Sequence, residues 1–143
     1  MKFHIKPSQL RGEVTIPGSK SHTVRALLCA MYAEGESRVE FPLDSSDTRS
    51  CVEMVRRFGA AVRIEPDLWA VSGTGGDLAV PADVVDVGNS GTTLYFGMAA
   101  ASLARGHTVF TGDDQIRNRP ADGLLRSLGD LGATAFSTRG NGK

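Results

Sequence analysis

Two stretches of this chain are written on one plan, and that internal repeat limits the fold more than any other feature. The first copy reads Gly18-Ser19-Lys20-Ser21-His22-Thr23, then an apolar helical stretch to about Ala33, then Gly35. The second reads Gly88-Asn89-Ser90-Gly91-Thr92-Thr93, then an apolar stretch to about Ala104, then Gly106. A β-prone run follows each glycine, and then an acidic loop in which an aspartate precedes an arginine by five residues: Asp44 and Arg49, Asp114 and Arg119. Both copies continue into a second helix ending at Phe58-Gly59-Ala60 and Leu131-Gly132-Ala133. The offset drifts from 70 to 73 residues, as small insertions produce. A unit that alternates strand, small-residue loop and helix implies an α/β fold, with copies at about 18–76 and 88–143.

Periodicity assigns the elements. Val24, Leu27, Leu28 and Met31 form one helical stripe, and Leu124, Leu128 and Leu131 another, with Pro120 in its first turn. Met54, Val55 and Phe58 line a helix that Ser45 or Ser46 caps. The small residues of 97–101 imply a helix pressed against its neighbours. Strands are expected at 2–6, 12–16, 37–41, 61–65, 68–72, 107–111 and 133–137. Pro66-Asp67 turns one pair, and Asn141-Gly142 signals a turn whose return strand lies beyond Lys143. The chain therefore reads as part of a longer one.

Composition narrows the function classes. Lys and Arg number 16 and Asp and Glu 16, which disfavours a non-specific nucleic-acid binder. No apolar run approaches the ~18–20 residues of a membrane span, and the N-terminus lacks a secretory stretch, so the expected setting is the cytoplasm. Cys29 and Cys51 have no metal-ligand spacing and read as buried thiols in helices. His22, His107, Trp69 and Gly73-Thr74-Gly75-Gly76 read as surface, packing or loop residues, and no nucleophile triad or metal set assembles.

The candidate chemistry is anion binding. Pro17-Gly18-Ser19-Lys20-Ser21 enters a helix whose first N–H groups and dipole favour a negative ligand. Lys20 adds a full charge, and Arg25 lies one turn beyond Ser21. Gly88-Asn89-Ser90-Gly91-Thr92-Thr93 repeats the design without a Walker spacing, so two helix entries can converge on a doubly anionic ligand. Arg119 stands at a helix start, where the dipole favours an acid. That placement implies either an anion bound nearby or pairing with Asp113 or Asp114.

These residues resemble the 5-enolpyruvylshikimate-3-phosphate synthase family. The match runs through Pro17-Gly18-Ser19-Lys20-Ser21-x-x-x-Arg25, Leu43-Asp44-Ser45-Ser46-Asp47-Thr48-Arg49, Gly88-Asn89-Ser90-Gly91-Thr92 and Gly112-Asp113-(x)5-Arg119-Pro120. The resemblance implies a fold of repeated β/α units, an inside-out α/β barrel type built as two domains with substrates between them, incomplete in this chain. Residues 1–18 would belong to the other domain and 19–143 to part of this one. The implied reaction moves the enolpyruvyl group of phosphoenolpyruvate to the 5-hydroxyl of shikimate 3-phosphate, a step of aromatic amino-acid biosynthesis, without a metal or other cofactor. Lys20 is implied to touch both substrates as the catalytic residue, and Ser21 and Arg25 to hold shikimate 3-phosphate. Asn89, Gly91, Thr92 and Arg119 fall to the phosphoenolpyruvate side.

Two positions depart from the family pattern: Val24 replaces the usual Asn, and Tyr95 a common Arg. The alternatives are a UDP-N-acetylglucosamine enolpyruvyl transferase, disfavoured by Ser21, and a non-catalytic anion-binding module. The remaining part of the same enzyme is the implied partner, and without it the chain is expected to be inactive.

Overall fold

A computed structural model describes residues 2–143. The first repeat supplies helix α1 (Lys20–Tyr32), strand β1 (Glu36–Glu40), helix α2 (Ser46–Arg57) and strands β2 (Ala61–Glu65) and β3 (Leu68–Ser72). Strand β4 (Val85–Asp86) leads into the second, which supplies helix α3 (Gly91–Ala101), strand β5 (Phe110–Thr111), and helices α4 (Asp114–Arg117) and α5 (Asp122–Asp130).

Caps set the helix starts. Ser19 Oγ accepts from the His22 N–H, Ser45 Oγ from that of Thr48, and Ser90 Oγ from that of Thr93. Ser45 rather than Ser46 is the α2 cap, and Thr48 completes a reciprocal capping box. Ser19 and Ser90 occupy equivalent places in the two copies, so the repeat is structural where it enters α1 and α3.

Strand β3 is the centre of a three-stranded antiparallel sheet with β1 and β2 at its sides. Trp69 faces Val39 on one neighbour and Ile64 on the other. Helices α1 and α2 pack on this sheet and on each other. Val24, Leu27, Met31, Met54, Val55, Phe58, Trp69 and Val71 have essentially no exposed surface. Burying each such side chain stabilises the fold by about 1.5–3 kcal/mol. Gly97 presses α3 against α2: a Cβ there would stand 2.5 Å from Met54 Sδ.

Strands β4 and β5 form a separate parallel pair, Val85 opposite Phe110 and Asp86 opposite Thr111. Parallel pairing sends both chains out at the same end, where ligand sites of α/β folds gather. Gly88-Asn89 follows β4 and Gly112-Asp113 follows β5, so the two loops leave side by side. The Asp113 N–H donates to the Gly88 carbonyl at 2.9 Å.

Several expectations are corrected. Residues 2–6, 12–16 and 133–137 form no strand. Phe3, Ile5, Val14, Ile16 and Phe136 stay exposed, because a β-prone run becomes a strand only against a partner edge and these have none here. The 107–111 run shortens to Phe110–Thr111, and Val85–Asp86 is added as its partner. Strand β1 begins one residue early and stops before Phe41, whose φ of 49° leaves the extended region. Pro120 precedes α5 rather than entering it, and Leu131 is exposed just past the helix end. Cys29 faces solvent while Cys51 is buried, since only Cys51 lies on the core face of its helix. Burial pushes the Cys51 thiol up to about 12. Among the described residues no helix is long and apolar enough to cross a membrane.

Candidate functional site

Five helices begin among the described residues, and they differ in the charge at their first turn. Helices α2, α4 and α5 carry Asp47, Asp114 and Asp122 there, which offset the positive end of the dipole. Helices α1 and α3 carry no acid in the first turn. These are the two repeat entries, so the uncompensated ends are those with the small-residue loops.

At α3 a cation is added rather than an acid. Arg119 lies directly over Gly91, the first residue of α3. A Cβ built on Gly91 would stand 2.2 Å from Arg119 Nη1 and 2.8 Å from its Cζ. Only glycine leaves the guanidinium room to rest there. Arg119 is half-buried, and no carboxylate among the described residues pairs with it. Of the two readings of Arg119, pairing with Asp113 or Asp114 is therefore not what the structure contains. Arg117 takes Asp114, and Asn89 takes Asp113.

The Asn89–Asp113 contact ties the loops together. Asn89 Nδ2 donates to Asp113 Oδ2, while Asp113 Oδ1 accepts from the Ile116 N–H at 3.0 Å and so caps α4. The Ile116 N–H and then the Asn89 amide hold the Asp113 carboxyl below its usual range, so it is ionised at neutral pH. Thr92 follows Gly91 in the first turn of α3, half-buried. Asn89, Gly91, Thr92 and Arg119 are thus brought to one corner.

The α1 residues lie on the other side of the first turns of α2. Lys20 Nζ donates to Asp47 Oδ2 at 2.8 Å. Ser50, one turn beyond Asp47, has its Oγ 3.0 Å from where a Gly88 Cβ would stand. The first turns of α2 therefore separate Lys20 from the Gly88 loop. The Lys20–Asp47 pair is partly exposed, with 45% of the Lys20 and 21% of the Asp47 side chain accessible, so it is worth about 1 kcal/mol. Ser21 is half-buried beside Lys20. Arg25 Nη1 donates to the Ser21 carbonyl at 3.3 Å, and its guanidinium lies 5.8 Å from the Phe96 ring of α3. That contact leans α1 toward α3, while His22 is exposed.

Two further residues shape the site. Arg49 Nε donates to Asp44 Oδ1 at 2.6 Å, and its guanidinium lies 5.6 Å from the Trp69 ring, which fixes the loop before α2. That hydrogen bond holds the Asp44 carboxyl below its usual range. The five-residue Asp–Arg spacing marks the repeat but not the pairing, since the same spacing at Asp114 and Arg119 forms no ion pair. The second residue is Tyr95, which the sequence marks only as a departure from the family pattern: one turn beyond Gly91, it donates its hydroxyl to the Pro120 carbonyl at 2.8 Å.

Chemically, an acid-free helix start beside an unpaired guanidinium is suited to an anion. Helices α1 and α3 start without acids, the Arg119 guanidinium at α3 has no carboxylate partner among the described residues, and the Lys20 ammonium at α1 pairs with Asp47.

The chain is similar to known proteins. The EPSP synthase (3-phosphoshikimate 1-carboxyvinyltransferase) family profile matches residues 5–143. The chain is 52% identical over 143 residues to the 3-phosphoshikimate 1-carboxyvinyltransferase of Acetivibrio thermocellus, covering 100% of this chain and 34% of that relative. It is 50% identical over 143 residues to the protein of the same name from Halobacterium salinarum, covering 100% of this chain and 33% of that relative. In structure it is similar to the EPSP synthase from Acinetobacter baumannii, with a TM-score of 0.87 at 28% identity over 92% of this chain and 30% of that one. The chain spans about a third of the length of the curated relatives it matches. Its mixed helices and strands are an incomplete α/β fold of the type those enzymes share, and by profile, identity and structure alike the chain belongs to the EPSP synthase family.

Proposed function

We propose that this chain is one wall of a 3-phosphoshikimate 1-carboxyvinyltransferase, an enzyme completed by further sequence of the same protein. The reaction joins the enolpyruvyl group of phosphoenolpyruvate to the 5-hydroxyl of shikimate 3-phosphate and releases phosphate. The observation that carries the reading is Arg119 laid over the acid-free start of α3 with no carboxylate partner among the described residues. Two positive features meeting at one place are favourable only if an anion joins them. The relatives named above carry the shikimate acceptor in their names, which favours that acceptor over UDP-N-acetylglucosamine.

In this reading Arg119, the Gly91 N–H, Thr92 and Asn89 bind phosphoenolpyruvate. Ser21 and Arg25 bind the phosphate of shikimate 3-phosphate. Lys20 gives up its weak pair with Asp47 and lies between the two substrates. Bringing two anions into contact is the main obstacle to the reaction, and fixed cations and helix ends offset that repulsion before chemistry begins. Residues 1–18 belong to the second domain: the described residues 2–18 form no helix or strand, and their apolar side chains Phe3, Ile5, Val14 and Ile16 have no cover here. The 19–143 unit is part of the first domain. The setting is the cytoplasm, which suits two free thiols.

The experiment is phosphate release by the full-length protein given both substrates. Lys20→Ala and Arg119→Ala should each slow turnover on the order of 10²-fold, the effect of removing one charge-stabilising donor. Near-normal rates in both variants would refute the site.

A further inference from the structure

The corner at Arg119 contains one contact that anion binding does not itself explain. Tyr95 is half-buried on α3, and its hydroxyl donates to the carbonyl of Pro120 at 2.8 Å. Pro120 is the residue after Arg119. Tyr95 also stands four residues beyond Gly91, so both lie on the same face of α3. One face of one helix therefore touches this strap twice: Gly91 receives the Arg119 guanidinium, and Tyr95 holds the backbone immediately after it.

The strap is held at three further points. The Arg119 N–H donates to the Ile116 carbonyl at 3.0 Å, closing the end of α4. The Ala121 N–H donates to the Gly142 carbonyl at 2.7 Å. On the other side, Asp113 and Asn89 bind the start of α4 to the loop before α3. Backbone contacts on both sides of Pro120 thus fix the height of the strap. The Tyr95 hydroxyl ties the strap's backbone to α3 by a hydrogen bond.

We infer that Tyr95 is a positioning residue. By gripping the Pro120 carbonyl it sets where the Arg119 guanidinium rests over the α3 N-terminus, and it thereby tunes the phosphoenolpyruvate half of the site without touching that substrate. This inference rests on the functional reading above and adds to it a division of labour: the Tyr95 hydroxyl governs one substrate and not the other. A tyrosine suits the task because its rigid ring reaches the strap with only two side-chain torsions. The neutral hydroxyl donates to a carbonyl without adding a charge that would compete for the ligand.

The test uses the full-length protein and Tyr95→Phe, which deletes only the hydroxyl. The expected result is a rise of roughly fivefold in the KM for phosphoenolpyruvate, the equivalent of one neutral hydrogen bond. The KM for shikimate 3-phosphate and the thermal midpoint should be unchanged. Equal rises in both KM values, or a lowered midpoint with neither KM altered, would overturn the inference by making the role merely structural. The substitution repeated in an Arg119→Lys background should add less than about twofold, because a residue acting through Arg119 is silent once Arg119 is altered. The same fivefold effect in both backgrounds would overturn it. Crystal structures of the wild-type and Tyr95→Phe proteins supply a readout that needs no substrate. The guanidinium should leave Gly91 in the variant, and an unmoved Arg119 would overturn the inference. Absence of turnover in the wild type would count against the functional reading alone, since the structural comparison still decides the role of Tyr95.

Discussion

A single missing Cβ determines what the start of α3 can do. At Gly91 the nearest obstacle to a methyl group is Arg119 Nη1 at 2.2 Å, the mobile end of a long side chain rather than backbone. Gly91→Ala should therefore leave the fold intact and displace the guanidinium. We expect a thermal midpoint within a few degrees of wild type and a rise of about tenfold or more in the KM for phosphoenolpyruvate, measured in the full-length protein. An unaltered KM would show that Arg119 does not serve that substrate from this position. Gly73 is the contrasting case. A Cβ there would lie 2.1 Å from the Ala33 carbonyl oxygen and 2.3 Å from that of Ala30, both backbone atoms at the end of α1. Gly73→Ala should destabilise by about 1–3 kcal/mol or more in urea unfolding, because α1 must shift away from β3. A loss below about 0.5 kcal/mol would mean that this junction is looser than its geometry.

Among the elements, helices were far more legible than strands. The stripe Val24, Leu27, Leu28 and Met31 is buried throughout, and the serine caps of α1, α2 and α3 stand where polar residues precede apolar periodicity. A helix satisfies its own backbone, so local sequence suffices to mark it. Strands depend on a neighbouring edge. The runs at 61–65 and 68–72 find each other across a two-residue turn and form at their expected bounds. The equally β-prone 2–6, 12–16 and 133–137 have no edge to join and remain unpaired. Site residues follow the same division. Asn89, Gly91 and Lys20 were visible because a helix entry is a local pattern. The Tyr95–Pro120 bond links residues 25 apart through a carbonyl, which any residue carries, so no residue type announces it. The pairing of Arg119 was likewise open in the sequence. It resolves only when Arg117 and Asn89 claim the two neighbouring aspartates.

On the scale of the whole molecule, the repeat produced two unequal halves. The first copy closes its own sheet, with β3 between β1 and β2. The second contributes a two-residue strand and a turn at Gly140–Gly142 that packs back on the start of α5. The chain aligns with about a third of each relative. The central claim is that the Arg119 corner and the Lys20 helix entry face one cleft and hold its two anionic substrates. The most direct test is a crystal structure of the full-length protein with shikimate 3-phosphate and phosphoenolpyruvate bound. The account predicts an anionic oxygen of phosphoenolpyruvate within hydrogen-bond distance of the Arg119 guanidinium, and Lys20 turned from Asp47 toward the ligands. Both substrates bound elsewhere, with Lys20 still paired to Asp47 and Arg119 contacting neither, would contradict it.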